Sequence, residues 1–145
     1  MIRMSKLADY GVVIMATMAR ERQPLDATVN ARDLSEKAHI PLPTVGKILK
    51  ALCRGGLLVS HRGPRGGYAL ARLASEITVL DIISILDGPV GLTDCTVAPL
   101  GACEMEATCP VRSPWHMINR RVLDALRGLT LHEMIDSTNI LDKRP

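Results

Sequence analysis

Phenylalanine is absent from this 145-residue chain, and aromatic rings come only from Trp115, Tyr10 and Tyr68. Any core must therefore be aliphatic. No run approaches the ~20 consecutive apolar residues that a membrane-spanning helix needs, so the expected partners do not include a membrane. No apolar stretch ending in a small-residue cleavage site follows the early Arg3, so no signal-peptide pattern is present. The expectation is a cytoplasmic protein. Internal repeats and low-complexity tracts are also missing. So are a C-x-x-C pair, a phosphate-cradling glycine loop and any Ser/His/Asp or Cys/His arrangement that can be placed. His39, His61, His116 and His132 are scattered over different elements. These absences argue against an enzyme.

What is present is unevenly distributed. Residues 1–76 carry 12 Lys/Arg against 6 Asp/Glu, a net +6, while residues 77–145 carry 6 against 9, a net −3. A basic front half points to a polyanion partner for that half.

Leu7, Gly11, Ile14 and Met18 recur at helical spacing, with Tyr10 and Met15 alongside. "ERQPLDATV" breaks that pattern. Asn30 is a good N-cap for a second helix with Ala31, Leu34 and Ala38 on its inner stripe. "HIPLP" turns the chain, and Pro43 suits the first position of a third helix that Gly55-Gly56 stops. "LLVSH" and "GYALA", joined by "RGPRG", read as a hairpin with a basic tip. Thr78 and Asp81 cap a fourth helix, and "DGP" at Asp87–Pro89 ends it. Ser113-Pro114 reads as N-cap and first position of a fifth. There Trp115, Ile118, Val122, Ala125 and Leu129 step by 3, 4, 3, 4. That heptad seam means helix-on-helix packing, either inside the chain or across a dimer. Thr130 and Glu133 cap one last short turn, and the tail "STNILDKRP" is expected to fray.

Three helices followed by a basic hairpin is the plan of a winged helix-turn-helix. In the third helix, Val45, Ile48, Leu49 and Leu52 share one face at ~100° per residue, opposite Lys47, Lys50 and Arg54. One side can be buried while the cations and Thr44 face a major groove. Arg62, Arg65 and Gly66 lie on the wing tip, which can approach a phosphate backbone or a minor groove. Two basic surfaces on adjacent elements favour double-stranded DNA.

Three of the four cysteines fall in "DCTVAPLGACEMEATCP", as Cys95, Cys103 and Cys109 with spacing C-x7-C-x5-C. Zinc sites usually include a short C-x2–4-C knuckle. Iron–sulfur clusters accept looser loops of thiolates, and Cys-Pro, as in Cys109-Pro110, occurs in some cluster motifs. The fourth, Cys53, reads as a small apolar residue near the end of the third helix. With three thiolates a fourth ligand must be oxygen, nitrogen or exogenous. His116, seven residues beyond Cys109, could reach back.

"RGPRGGYALA" after "IPLPTVGKILKALCRGGLL", with "MSKLADYGV" in front and the cysteine triplet behind the fourth helix, resembles the IscR/NsrR/RirA-type transcription regulators (the Rrf-two family). The likeness runs to about residue 136 and is greatest to regulators of the SUF iron–sulfur assembly operon. It implies a mainly α, homodimeric winged-helix repressor binding a two-fold symmetric operator. Cys95, Cys103 and Cys109 would hold a 2Fe–2S or 4Fe–4S cluster, and Asp9 from the partner's first helix becomes a second candidate for the fourth ligand. Residues 1–76 would form the DNA-binding domain, 77–112 the connecting helix and cluster loop, 113–136 the dimerisation helix and short terminal helix, and 137–145 the tail. The alternative is a winged-helix regulator sensing redox state or nitric oxide through its cysteines or zinc. Two positions depart from the pattern. Some relatives have a His where this chain has Arg112, which cannot ligate a metal. Several carry an operator-discriminating acid where this chain has Gly46.

Overall fold

The computed structural model describes residues 3–21 and 27–136. The expected tail at 137–145 and most of "ERQPLDATV" lie outside the described residues. Side-chain caps start several helices. Ser5 Oγ accepts the Ala8 N–H at the start of α1 (Lys6–Arg20), and Asn30 Oδ1 accepts the Asp33 N–H at the start of α2 (Ala31–Ala38). His39 ends α2 in the left-handed conformation.

Helix α3 (Leu42–Arg54) follows, with Pro41 as its N-cap, so Pro43 is the second helical residue and not the first. The position is equally tolerant, because the N–H groups of a first turn have no intrahelical acceptor. Strands β1 (Leu58–His61) and β2 (Gly67–Leu70) pair antiparallel, with Leu58 opposite Leu70 and His61 opposite Gly67. Val29 adds a bridge on the outer edge, exchanging both backbone hydrogen bonds with Tyr68 at 2.9 and 2.8 Å.

Helix α4 (Val79–Asp87) carries the expected capping box: Thr78 Oγ1 accepts from Asp81 N–H, and Asp81 Oδ2 accepts from Thr78 N–H. A four-residue helix, α5 (Asp94–Val97), opens the cysteine segment. Helix α6 (Arg112–Arg127) starts earlier than the Ser113-Pro114 signal implies. Val111 is the N-cap and its carbonyl accepts the Trp115 N–H at 3.0 Å. Pro114 still falls in the first turn, where its missing N–H leaves no gap. Helix α7 (Leu131–Asp136) closes the described chain behind a Thr130–Glu133 box.

The core is aliphatic. Ile14 and Met15 of α1, Leu34 of α2, and Val45, Ile48, Leu49 and Leu52 of α3 pack with Leu57 into one cluster. Each such side chain contributes about 1.5–3 kcal/mol by leaving water. The cluster also takes in Ile77, Ile82 and Leu131, so α4 and α7 close over the winged helix. Backbone bonds stitch that closure: Leu131 N–H donates to Ile77 carbonyl at 2.8 Å, and Val79 N–H to Leu129 carbonyl at 3.0 Å. Helix α6 turns Leu126 towards Ala8, Val79 and Ile83. Among the described residues its heptad seam is left largely uncovered, with Trp115 37% and Ile118 45% exposed, and Leu129, just beyond the end of α6, is 38% exposed.

Candidate DNA interface and cysteine loop

The third helix divides as its periodicity requires. Its four apolar residues are fully buried, while Lys47, Lys50 and Arg54 are exposed and Thr44 is half-buried at the N-terminal end. Because the buried face fixes the helix in rotation, the cations must project outward. Arg62 and Arg65 are exposed on the wing. Among the described residues none of these five cations makes an ion pair; the pairs fall elsewhere, at Lys37–Glu21, Arg112–Glu106, Arg127–Asp124 and His132–Asp136. Unpaired cations on two neighbouring elements form a field that a phosphate backbone can neutralise.

The wing tip is shaped by close backbone packing. Gly66 N–H donates to Gly63 carbonyl at 2.9 Å, closing the turn that presents Arg65. A Cβ on Gly66 would come within 2.5 Å of the His61 carbonyl oxygen, and one on Gly67 within 2.7 Å of the Val29 oxygen. Only glycine fits at either place. Sequence reasoning missed Thr28. Its Oγ1 donates to the Arg65 carbonyl at 2.8 Å and so ties the wing to the segment before α2. The 37 residues between these partners left no local signal to find.

The cysteine segment runs from Leu92 to Val111 around α5. Cys95, Cys103 and Cys109 are free and half-buried. Thr93 Oγ1 lies 3.2 Å from Cys95 Sγ. Glu106, between the second and third thiols, has a side chain only 10% exposed. Its Oε2 accepts the Gly101 N–H at 2.7 Å, and its Oε1 faces Arg112 Nη2 at 2.7 Å. Arg112, at the position where a ligating His was sought, instead braces the loop. Asn119 on α6 reaches the loop's other end: its Oδ1 accepts the Leu92 N–H at 3.1 Å. Cys53 stands apart near the end of α3, and burial pushes its thiol above the ordinary range. That is the behaviour of a packing residue, not a ligand.

Asp9 is exposed in the first turn of α1, beside an open groove of about 500 Å³ that Arg3, Lys6, Val79 and Met134 also line. His116 is exposed on α6, next to Arg112 and Arg120. Among the described residues no three His, Cys, Asp or Glu side chains come together as a site for one metal ion. The donor type still suits an iron–sulfur group, which is held mainly by Cys thiolates spread over several metal atoms; this loop offers three thiols that are in no disulfide.

Comparison with known proteins follows the same lines. The family model named Rrf2, described as an iron-dependent transcriptional regulator, matches residues 4–137. The HTH-type transcriptional regulator IscR of Pectobacterium carotovorum is 31% identical over 141 residues, which are 97% of this chain and 84% of that protein. Among solved structures, CymR, the global cysteine regulator of B. subtilis, has a TM-score of 0.73 at 26% identity, covering 94% of this chain and 98% of that one. T. potens IscR has a TM-score of 0.73 at 23% identity, covering 99% and 93%, a likeness of fold.

Proposed function

The chain belongs to the Rrf2 family of transcriptional regulators, and on that premise we propose that it is a homodimeric repressor of SUF-type iron–sulfur assembly genes, responsive to a cluster on its cysteine loop. It is a regulator and not an enzyme, as its relatives are. One observation carries the reading: two unpaired basic surfaces, on α3 and on the wing, share a chain with three free thiols on a loop braced against α6.

DNA recognition assigns Thr44, Lys47, Lys50 and Arg54 to a major groove and Arg62 and Arg65 to the backbone or minor groove beside it, with Gly66 shaping the tip. Two such units must sit at a fixed separation to read a two-fold operator. The exposed seam of α6 supplies the pairing surface. On the loop, Leu100 is 85% and Met105 63% exposed, apolar area that a second subunit would cover.

Cys95, Cys103 and Cys109 would hold the cluster, with Asp9 of the partner subunit or His116 as fourth ligand. When bound, the cluster would supply a centre that responds to iron and oxidants. A non-thiolate fourth ligand makes that response easier, because it exchanges more readily. Cluster and operator each favour one dimer geometry, so each changes the affinity for the other by the same factor, ~5–150-fold for typical couplings.

Anaerobic purification tests this. A brown protein with visible absorption and acid-labile sulfide is expected. Cys103→Ala should abolish both and leave a folded dimer. Stoichiometric zinc without iron would overturn the cluster assignment. In that event the second reading, thiol or zinc sensing of redox state or nitric oxide, would stand. Its support is the structural likeness to a regulator of cysteine in B. subtilis.

A further inference from the structure

Asn119 is the one buried polar residue among those described, 6% exposed. Such a group keeps its place when it is hydrogen-bonded, and its Oδ1 accepts across 27 residues from the Leu92 N–H. Leu92 adjoins Thr93, which caps α5 and lies against the Cys95 sulfur. A short covalent and hydrogen-bonded path therefore joins the first thiol to the middle of α6. At the other end of the loop, Glu106 holds Gly101 and Arg112 together, and Arg112 is the first residue of α6.

Arg112 and Asn119 are seven residues apart, so they share one face of the helix. Of the seam, Trp115, Ile118, Val122 and Ala125 lie on this helix, roughly 90° round the same cylinder. One rigid element thus carries the loop on one face and the pairing surface on the next. The brace is also incompletely satisfied. Arg112 Nε is buried and has no hydrogen-bond partner.

We propose that Asn119, with the Glu106–Arg112 pair as its counterpart, is the positioning residue through which the state of the cysteine loop reaches the dimer helix and so the spacing of the two recognition helices. This rests on the regulator reading above. It does not depend on which metal, if any, the thiols hold.

The test uses reduced, metal-free full-length protein and a duplex that the wild-type protein selects from a random-sequence pool. Alkylation rates of Cys95, Cys103 and Cys109 are followed by mass spectrometry with and without the duplex. By reciprocity, duplex should change the rate at one or more of these thiols, on the order of 5-fold, in the wild type. Asn119→Ala should still bind the duplex but lose that response, and Asn119→Asp, which keeps the acceptor oxygen, should regain it. A wild-type-sized response in Asn119→Ala overturns the inference, as does a wild-type protein that binds duplex with no thiol response. If neither the metal-free nor the anaerobically purified wild-type protein selects a duplex, the regulator reading falls and this inference with it.

Discussion

Glycine inside the recognition helix makes a sharp prediction. Gly46 lies in α3 between Thr44 and Lys47, on the flank of the cationic face. A glycine in a helix interior costs about 1 kcal/mol relative to alanine. That cost is recovered on substitution only if the new methyl group meets nothing. Here a Cβ at residue 46 has no neighbouring atom within 4 Å, so Gly46→Ala should stabilise by close to the full ~1 kcal/mol. For a domain of this size that raises Tm by about 4 °C. Gly55, at the end of the same helix, gives the control with opposite sign. A Cβ there would come within 2.4, 2.6 and 2.8 Å of three Ile85 side-chain atoms. The whole side chain would have to move, so Gly55→Ala should destabilise by about 1–3 kcal/mol. Differential scanning calorimetry of both variants at one protein concentration, so that any self-association is held constant, reads the two shifts. A Gly46→Ala protein no more stable than wild type would refute the claim that α3 is an ordinary exposed helix at this position. Operator titrations on the same samples then show whether the added methyl group also obstructs DNA.

Other outcomes follow from particular contacts. Leu131→Ala removes a fully buried side chain that pins α7 to the core; the expected loss is about 2–5 kcal/mol by chemical denaturation, and a loss below 1 would mean α7 is only loosely attached. Arg62→Ala and Lys47→Ala should each weaken operator binding and lower the slope of log K against log salt by roughly 1 for each bound subunit, one released counterion apiece. Unchanged slopes in both would displace the DNA interface from α3 and the wing. Hydrogen bonds from the Thr130 hydroxyl and backbone N–H hold the Glu133 carboxyl below its ordinary range. The folded state therefore binds that proton less readily than the unfolded chain. The stabilisation is complete above the unfolded pKa and is lost as pH falls through the lowered folded value. Glu133→Gln should flatten the acid limb of the stability–pH curve, and an unaltered limb would refute the box.

Much of this architecture was legible because its signals are local. Asn30, Thr78 and Thr130 each bond to a residue three positions on, and a cap of that kind is written within one turn. The apolar period of α3 fixed which side is buried, and hence which way Lys47, Lys50 and Arg54 point. Helix starts at prolines were less sharp, since Pro43 and Pro114 fit any place in a first turn.

By itself, then, the sequence determined the winged-helix order, the cationic face, the basic wing tip and the grouping of three thiols. Each follows from residues within a few positions of one another, where chain geometry leaves little choice. Only the tertiary structure decided that Thr28 ties the wing to Arg65, that Leu131 returns to the central core, that the described residues leave the α6 seam exposed, and that Asn119 and Arg112 grip the cysteine loop. Those contacts join residues far apart along the chain. Which of the many possible distant pairs meet is settled by how the aliphatic core packs its helices, and no short window of sequence carries that information.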